Sequence, residues 1–328
     1  MTTWTDFGPT EDGVPQDYKT IWPSTIYDIR GVFDGSIIKD GYEGHPSILY
    51  TSTNPTGPLG ATAGEKEGVE TQSIAYTTDD GASWIKLDYG ANPVIYDWPM
   101  NNLTGFRDPY VFKSPEMERM LGNASQGASG SHFATISGGV IDEGPKLWLY
   151  RQTEEGDVTK WTYLGPFYEE AIRSSWSQWS GNWGINFETA FVTRVNATGE
   201  TYDDGSDATA LNIIGMGTEQ GRPDHQAHWP LWAAVDYSVS DNGSIVATPK
   251  MAGVADWGAS YAFVSFPVDS RSVMVGWTYE DDNFALATQM GYQGPFLPSL
   301  MCRPVSALTP LMLLQAPSLS SASCSART

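Results

Sequence analysis

Short apolar runs, broken at close intervals by Gly, Pro, Asn and Asp, constrain this chain more than any other feature. Examples are Ser47-Ile-Leu-Tyr-Thr-Ser, Gln72-Ser-Ile-Ala-Tyr-Thr, Pro109-Tyr-Val-Phe, Lys146-Leu-Trp-Leu-Tyr, Phe191-Val-Thr-Arg-Val, Leu211-Asn-Ile-Ile-Gly, Leu231-Trp-Ala-Ala-Val and Ser272-Val-Met-Val-Gly-Trp. The interrupting residues are those that turns demand, through free or fixed φ and through side chains that bond their own backbone. Sustained helical periodicity is scarce, and only the segment around Ser114 to Leu121 is expected to form a short helix. Many short strands at even spacing predict an all-β sandwich, barrel or propeller. The segment Tyr76-Thr-Thr-Asp-Asp-Gly-Ala-Ser-Trp84 reads as strand, tight turn and strand. It fits a propeller turn and equally an ordinary hairpin.

Composition removes several classes of function. Hydrophobic residues make up 40% of the 328 positions and charged residues only 17%, as in globular proteins. A formal charge of −21 opposes binding to nucleic acid or to an anionic membrane surface, both of which need Lys and Arg. The 13 Trp and 16 Tyr offer flat apolar faces with polar edges, which suit sugar rings and also fill pleated surfaces. Cys302 and Cys324 are the only cysteines, so the body has neither disulfides nor thiolate metal sites. No run is apolar enough to span a bilayer, and Met1-Thr-Thr-Trp-Thr-Asp has no signal-peptide character. Sequons at Asn102, Asn123, Asn196 and Asn242 matter only for a secreted chain. Beyond Phe296 the text turns to Ser, Ala, Leu and Pro with almost no acids. Residues 1–296 are therefore expected to form the domain, and 297–328 a disordered or foreign tail.

Two acidic segments stand out, Phe106-Arg107-Asp108-Pro109 and Asn186-Phe187-Glu188-Thr189. Paired carboxylates are the minimal machinery of glycoside hydrolysis. With Gly31-Val-Phe-Asp34-Gly-Ser36, Asp256-Trp-Gly-Ala-Ser-Tyr261-Ala and Gly276-Trp-Thr-Tyr-Glu, they make five segments whose order and spacing carry a family resemblance over about Thr3 to Phe296. The chain resembles glycoside hydrolase family 32, the invertases, inulinases and fructosyltransferases, and more closely its fungal branch. The resemblance implies a five-bladed β-propeller followed by a β-sandwich, an extracellular setting, no cofactor, and a retaining reaction through a fructosyl-enzyme. It also implies that Glu188 is the general acid/base and that Asp108 holds fructose hydroxyls and stabilises the transition state. The family's Asp nucleophile lies in an Asn-Asp-Pro-type segment, which this sequence lacks, and Asp6 and Asp12 do not have its flanking pattern. The first blade is therefore expected to be incomplete and the C-terminal sandwich missing, with poor solubility from unpaired strand edges.

Each candidate also has a plain structural reading. An apolar surround from Trp176, Trp179 and Trp183 is expected to raise the Glu188 pKa; a surface Glu at a strand start is the alternative. Arg107 offers a fixed fork for sugar oxygens or for a carboxylate, and Asp108 is otherwise a local ion-pair partner ahead of Pro109. Asp34 and Ser36 match a fructose-contacting loop, or an Asp-Gly hairpin turn. Glu219 and His228 match the region that shapes the second sugar's place. Tyr261 lines the pocket or fills the core. His225 and His228 lack the companions of a metal site, so no metal is expected. A sucrose- or fructan-acting enzyme is the leading function. A non-catalytic fructan-binding propeller and an arabinanase-like glycosidase are the alternatives. The implied partner is a small carbohydrate.

Overall fold

The structure is a computed structural model that describes residues 21–59, 65–122, 131–178, 180–196, 210–219, 228–258, 260–268, 271–278 and 300–301. Asp6, Asp12, Asn123, Trp179, His225, both cysteines and the tail from 302 onward lie outside the described residues. The described strands form four antiparallel meanders. The first contains β1 (Gly31–Ile38), β2 (Ser47–Thr53), β3 (Glu70–Tyr76) and β4 (Ile85–Lys86). The second contains β5 (Leu103–Phe112), β6 (Phe133–Val140), β7 (Gly144–Gln152) and β8 (Trp161–Glu169). The third contains β9 (Asn186–Val195), β10 (Leu211–Glu219), β11 (His228–Val239) and β12 (Ile245–Val254). The fourth contains β13 (Ser260–Val268), β14 (Arg271–Thr278) and β15 (Leu300–Met301). Each sheet packs on the next in chain order, and β1, β5, β9 and β13 line a common central cavity. This is a β-propeller. The described residues supply four of the five expected blades.

The eight apolar runs all fall in strands, and the short helix α1 (Pro115–Met120) starts at Ser114, whose hydroxyl accepts from the Met117 N–H. The Tyr76–Trp84 segment is a hairpin pairing Tyr76 with Ile85, and its turn places Asp80 and Gly81 at positive φ. Apolar side chains alternate across the second sheet. Leu147 and Leu149 face a core shared with the third sheet, around Phe167, Trp183, Phe187 and Ile214. Trp148 and Tyr150 face another core shared with the first sheet, around Leu49, Ile74, Phe106 and Ile136. A sheet buried on both faces needs apolar residues at successive positions, which is why this strand reads as a continuous run.

The innermost strands share one irregularity. In each, two residues oppose one across the ladder: Phe33 and Asp34 in β1, Asp108 and Pro109 in β5, Thr189 and Ala190 in β9, Ala262 and Phe263 in β13. Asp108, Thr189 and Ala262 take left-handed φ of 58°, 47° and 51° to make the kink. Such bulges re-aim side chains. The residues just before them, Val32, Arg107, Glu188 and Tyr261, all line the central cavity. Asp34-Gly35 is therefore a bulge inside a strand, not the hairpin turn that the dipeptide favours. Close approach fixes two glycines here. A Cβ on Gly217 would come within 2.4 Å of the Tyr261 hydroxyl, and one on Gly105 within 2.2 Å of Arg107 Nη1.

Candidate active site

The central funnel has a volume of about 680 Å³, and its polar wall is Asp34, Arg107, Asp108, Glu188 and Tyr261. Arg107 is its hub. Nε and Nη2 donate to Glu188 Oε1 at 3.0 and 2.9 Å, and Nη2 also donates to Glu219 Oε2 at 2.8 Å. The Tyr261 hydroxyl donates to the other Glu188 oxygen at 2.8 Å. Glu188 thus joins the pre-bulge residues of three successive blades, touching Arg107 on one side and Tyr261 on the other. Glu219 Oε2 also accepts from Asn186 Nδ2 at 2.8 Å, and Asn186 is held in turn by the Thr104 hydroxyl at 2.6 Å. His228 pairs across the ladder with Glu219 and packs its ring against Tyr261 at 4.9 Å.

Among the described residues of the funnel, one cation among several acids sets the electrostatics. Burial, then the charge of Glu188, pushes the Glu219 carboxyl up to about 7, against the pull of Arg107. Asp108 is held well above the ordinary carboxyl range by burial and by Asp34, although Arg107 and the Thr189 N–H, donating at 2.9 Å, favour its anion. Asp34 is open to the cavity but deep in the funnel, and the surrounding wall and Glu188 raise its carboxyl too. Burial and Glu188 drive the Tyr261 hydroxyl well above 10, so it stays a donor. Glu188, Glu219 and His228 each bring a possible ligand atom within 4.8 Å of the others. Arg107 already donates to both carboxylates, which makes the cluster an ion-pair site rather than a cation site.

Several expectations change at this point. The apolar surround expected at Glu188 belongs to its neighbour: Phe187 turns into the core against Trp183, while Glu188 faces Arg107 and Tyr261. Trp176 is exposed. Asp108 is no local partner of Arg107, since its carboxylate accepts the Thr189 N–H from the next blade. Ser36 borders the funnel, but its hydroxyl donates to the Pro109 carbonyl at 2.7 Å and accepts the Val111 N–H at 3.0 Å, stitching β1 to β5.

Sequence reasoning missed the support behind the funnel. Thr51 Oγ1 accepts the Asp108 N–H at 2.8 Å, and Gln72 Nε2 donates to the Phe106 carbonyl at 2.8 Å. Glu70, fully buried, accepts from Arg107 Nη1 and from the Phe106 N–H. The available signal was a run of four polar residues, Glu70 to Ser73, opening a strand whose positions are buried. Tyr110, just past the β5 bulge, donates across the channel to the Ser265 carbonyl at 2.6 Å. Beyond it lies a second cavity of about 600 Å³, with Lys39, Lys113, Glu116, His132 and Arg194 on its wall.

A model of the glycosyl hydrolases family 32 N-terminal domain matches residues 16–296. The chain belongs to glycoside hydrolase family 32. Among curated relatives, the extracellular exo-inulinase of Aspergillus niger is 37% identical over 104 residues, which is 27% of this chain and 19% of that protein. Among solved structures, Aspergillus kawachii β-fructofuranosidase complexed with glycerol superposes with a TM-score of 0.76 at 32% identity, covering 87% of this chain and 49% of that one. The fructosyltransferase from A. japonicus gives 0.74 at 31%, covering 87% and 52%. The family 32 chain thus spans about half the length of the solved structures it matches. No helix among its described residues is long and apolar enough to cross a membrane.

Proposed function

We propose that this family 32 propeller, residues 1–296, carries the sugar-binding and acid/base machinery of a retaining β-fructofuranosidase or fructosyltransferase acting on sucrose or fructans. The convergence of Asp34, Arg107, Asp108, Glu188 and Tyr261 on one funnel supports this reading most strongly. Glu188 gives a proton to the glycosidic oxygen as the bond to the fructosyl anomeric carbon breaks. It later takes a proton from the incoming water or sugar hydroxyl. Asp108 and Asp34 accept from fructose hydroxyls. Asp108, which burial and Asp34 bias toward its neutral form, gains stability as an anion when positive charge develops on the ring. Arg107 orients Glu188. Glu219 and His228, beside it, shape the place of the second sugar. The setting is extracellular, as for the curated exo-inulinase relative.

The reaction also needs an attacking carboxylate. The sequence contains no Asn-Asp-Pro segment, so the chain alone is expected to bind fructosides and barely turn them over. The same observation favours the second reading, a non-catalytic fructan-binding propeller. The deciding experiment assays this chain and a version extended upstream by an Asn-Asp-Pro segment on sucrose and inulin. Glucose release by the extended chain alone, abolished by Glu188→Gln, is the expected result. Fructan binding without turnover by either chain would favour the second reading. Equal turnover by the short chain would place the nucleophile within it, with Asp34 the first residue to replace.

A further inference from the structure

The Arg107 guanidinium has two working edges. Nε and Nη2 face the funnel and serve Glu188 and Glu219. Nη1 points the other way and donates to Glu70 at 3.1 Å (Oε1) and 3.3 Å (Oε2). Glu70 lies on β3, is fully buried, and is absent from the funnel wall. A substrate in the funnel therefore has no access to it. Its Oε2 also accepts the backbone N–H of Phe106, so one carboxylate grips both the main chain and the side chain of the strand that carries the hub. The Glu70 carbonyl takes the Trp98 indole N–H at 3.1 Å, which anchors this part of β3 to the segment leading into β5.

We propose that Glu70 is a positioning residue of the site, acting through Arg107: it sets the angle at which the guanidinium meets Glu188 and Glu219, and it withholds part of the guanidinium charge from that pair. A planar fork with fixed donors transmits orientation from one edge to the other, which a flexible ammonium does not. The Glu188–Glu219 pair is faced by Arg107 and Asp108 from β5, Asp34 from β1, Glu70 from β3 with Glu65 just ahead of it, His228 from β11 and Tyr261 from β13. Arg107 is the one permanent cation among these groups, and the Glu65 carboxylate lies 3.9 Å from its Nη1. Each acid that engages Nη1 weakens what Nε and Nη2 supply to the pair. Glu70 is close enough to help raise Glu219, while Arg107 lowers it.

The inference deepens the proposed function, but its test does not depend on turnover. Glutamate side-chain carboxyls of the full chain are labelled with ¹³C and titrated by NMR, with Glu219→Gln identifying the Glu219 signal. In Glu70→Gln the neutral amide oxygen still accepts from the Phe106 N–H, but the competing charge is gone. The Glu219 midpoint is expected to fall by at least about half a pH unit. Glu70→Asp, which restores the charge one methylene further back, is expected to recover most of that shift. Glu65→Gln, at the longer distance, is expected to move it less. An unmoved or raised midpoint in folded Glu70→Gln would overturn the proposal and leave Glu70 as a buried structural partner. Should Glu70→Gln not fold, an unmoved or raised Glu219 midpoint in Glu65→Gln, which also removes a carboxylate from the Nη1 edge, would remove the charge competition on which the proposal rests. Sucrose cleavage by the extended chain answers the separate question of function, so the two ideas fail independently.

Discussion

The same four inner strands build two cavities of opposite character. On the bulge side, Arg107 is crowded by Glu70, Glu188 and Glu219, with Asp34 and Asp108 on the same wall. Past Tyr110, the wall holds Lys39, Lys113, His132 and Arg194 around one acid, Glu116, which pairs with Arg194. Arg107 is almost fully buried, whereas Arg194 and Glu116 remain partly open to solvent. Charges of one sign repel most where water is scarce, so the bulge side stores electrostatic tension that the far side does not. Tension of that kind, concentrated in a concave site, is what acid/base chemistry uses.

Removing the hub should break this contrast most sharply. Arg107→Ala strips the buried carboxylates of their cation and is expected to cost about 3–5 kcal/mol, or to prevent folding. Arg194→Ala, at the more exposed pair, is expected to cost about 1 kcal/mol. Urea unfolding of the two variants at one pH makes the comparison, and equal losses would erase it. Neutralising an acid should next give opposite results at the two ends. Asp108→Asn keeps an acceptor for the Thr189 N–H and removes a charge that burial and Asp34 already disfavour, so stability at pH 7 should change by less than about 1 kcal/mol. Glu116→Gln removes the carboxylate that pairs with Arg194 and should destabilise.

Dependence on pH sharpens the picture further. The Glu219 carboxyl titrates near 4.5 when unfolded and at about 7 when folded. A raised folded value means that its contribution to stability is complete below pH 4.5 and is lost as pH rises toward 7. Melting temperature should therefore decline across that window, and Glu219→Gln should flatten this part of the slope. A parent chain whose melting temperature stays level or rises there, with Glu219→Gln unchanged in slope, would contradict the assignment. The smallest effects belong to the far side. Lys39→Ala and Lys113→Ala, both exposed, should each stay within about 0.5 kcal/mol and leave the Glu219 midpoint where it is.

Legibility in the sequence followed how local the cause was. Apolar strands such as Leu147–Tyr150 announced themselves, because burial on both faces leaves no polar interruptions. Their partners β8 and β12 did not, since Pro166 and Pro249 read as breakers. Both sit on edge strands at register shifts, where a missing N–H costs little. Strand β6 hid behind Gly138-Gly139, needed because the Gly105 carbonyl and Trp148 press against Gly138. At the site, Asp108 and Glu188 were readable because each sits in a compact local motif. Glu70, Thr51 and Gln72 were not: the polar run in β3 is visible, but it does not name the distant residues that Glu70, Gln72 and, from β2, Thr51 hold.

The repeated bulge also makes the funnel rewritable. Each pre-bulge position is an address: the ladder on either side fixes where its side chain projects, whatever that side chain is. Three addresses hold Arg107, Glu188 and Tyr261, which read one another directly. The fourth holds Val32, a cavity-lining side chain with no polar atom. Among the described blades the scaffold therefore keeps one vacant letter, at a position whose register is set by the backbone ladder on either side of it.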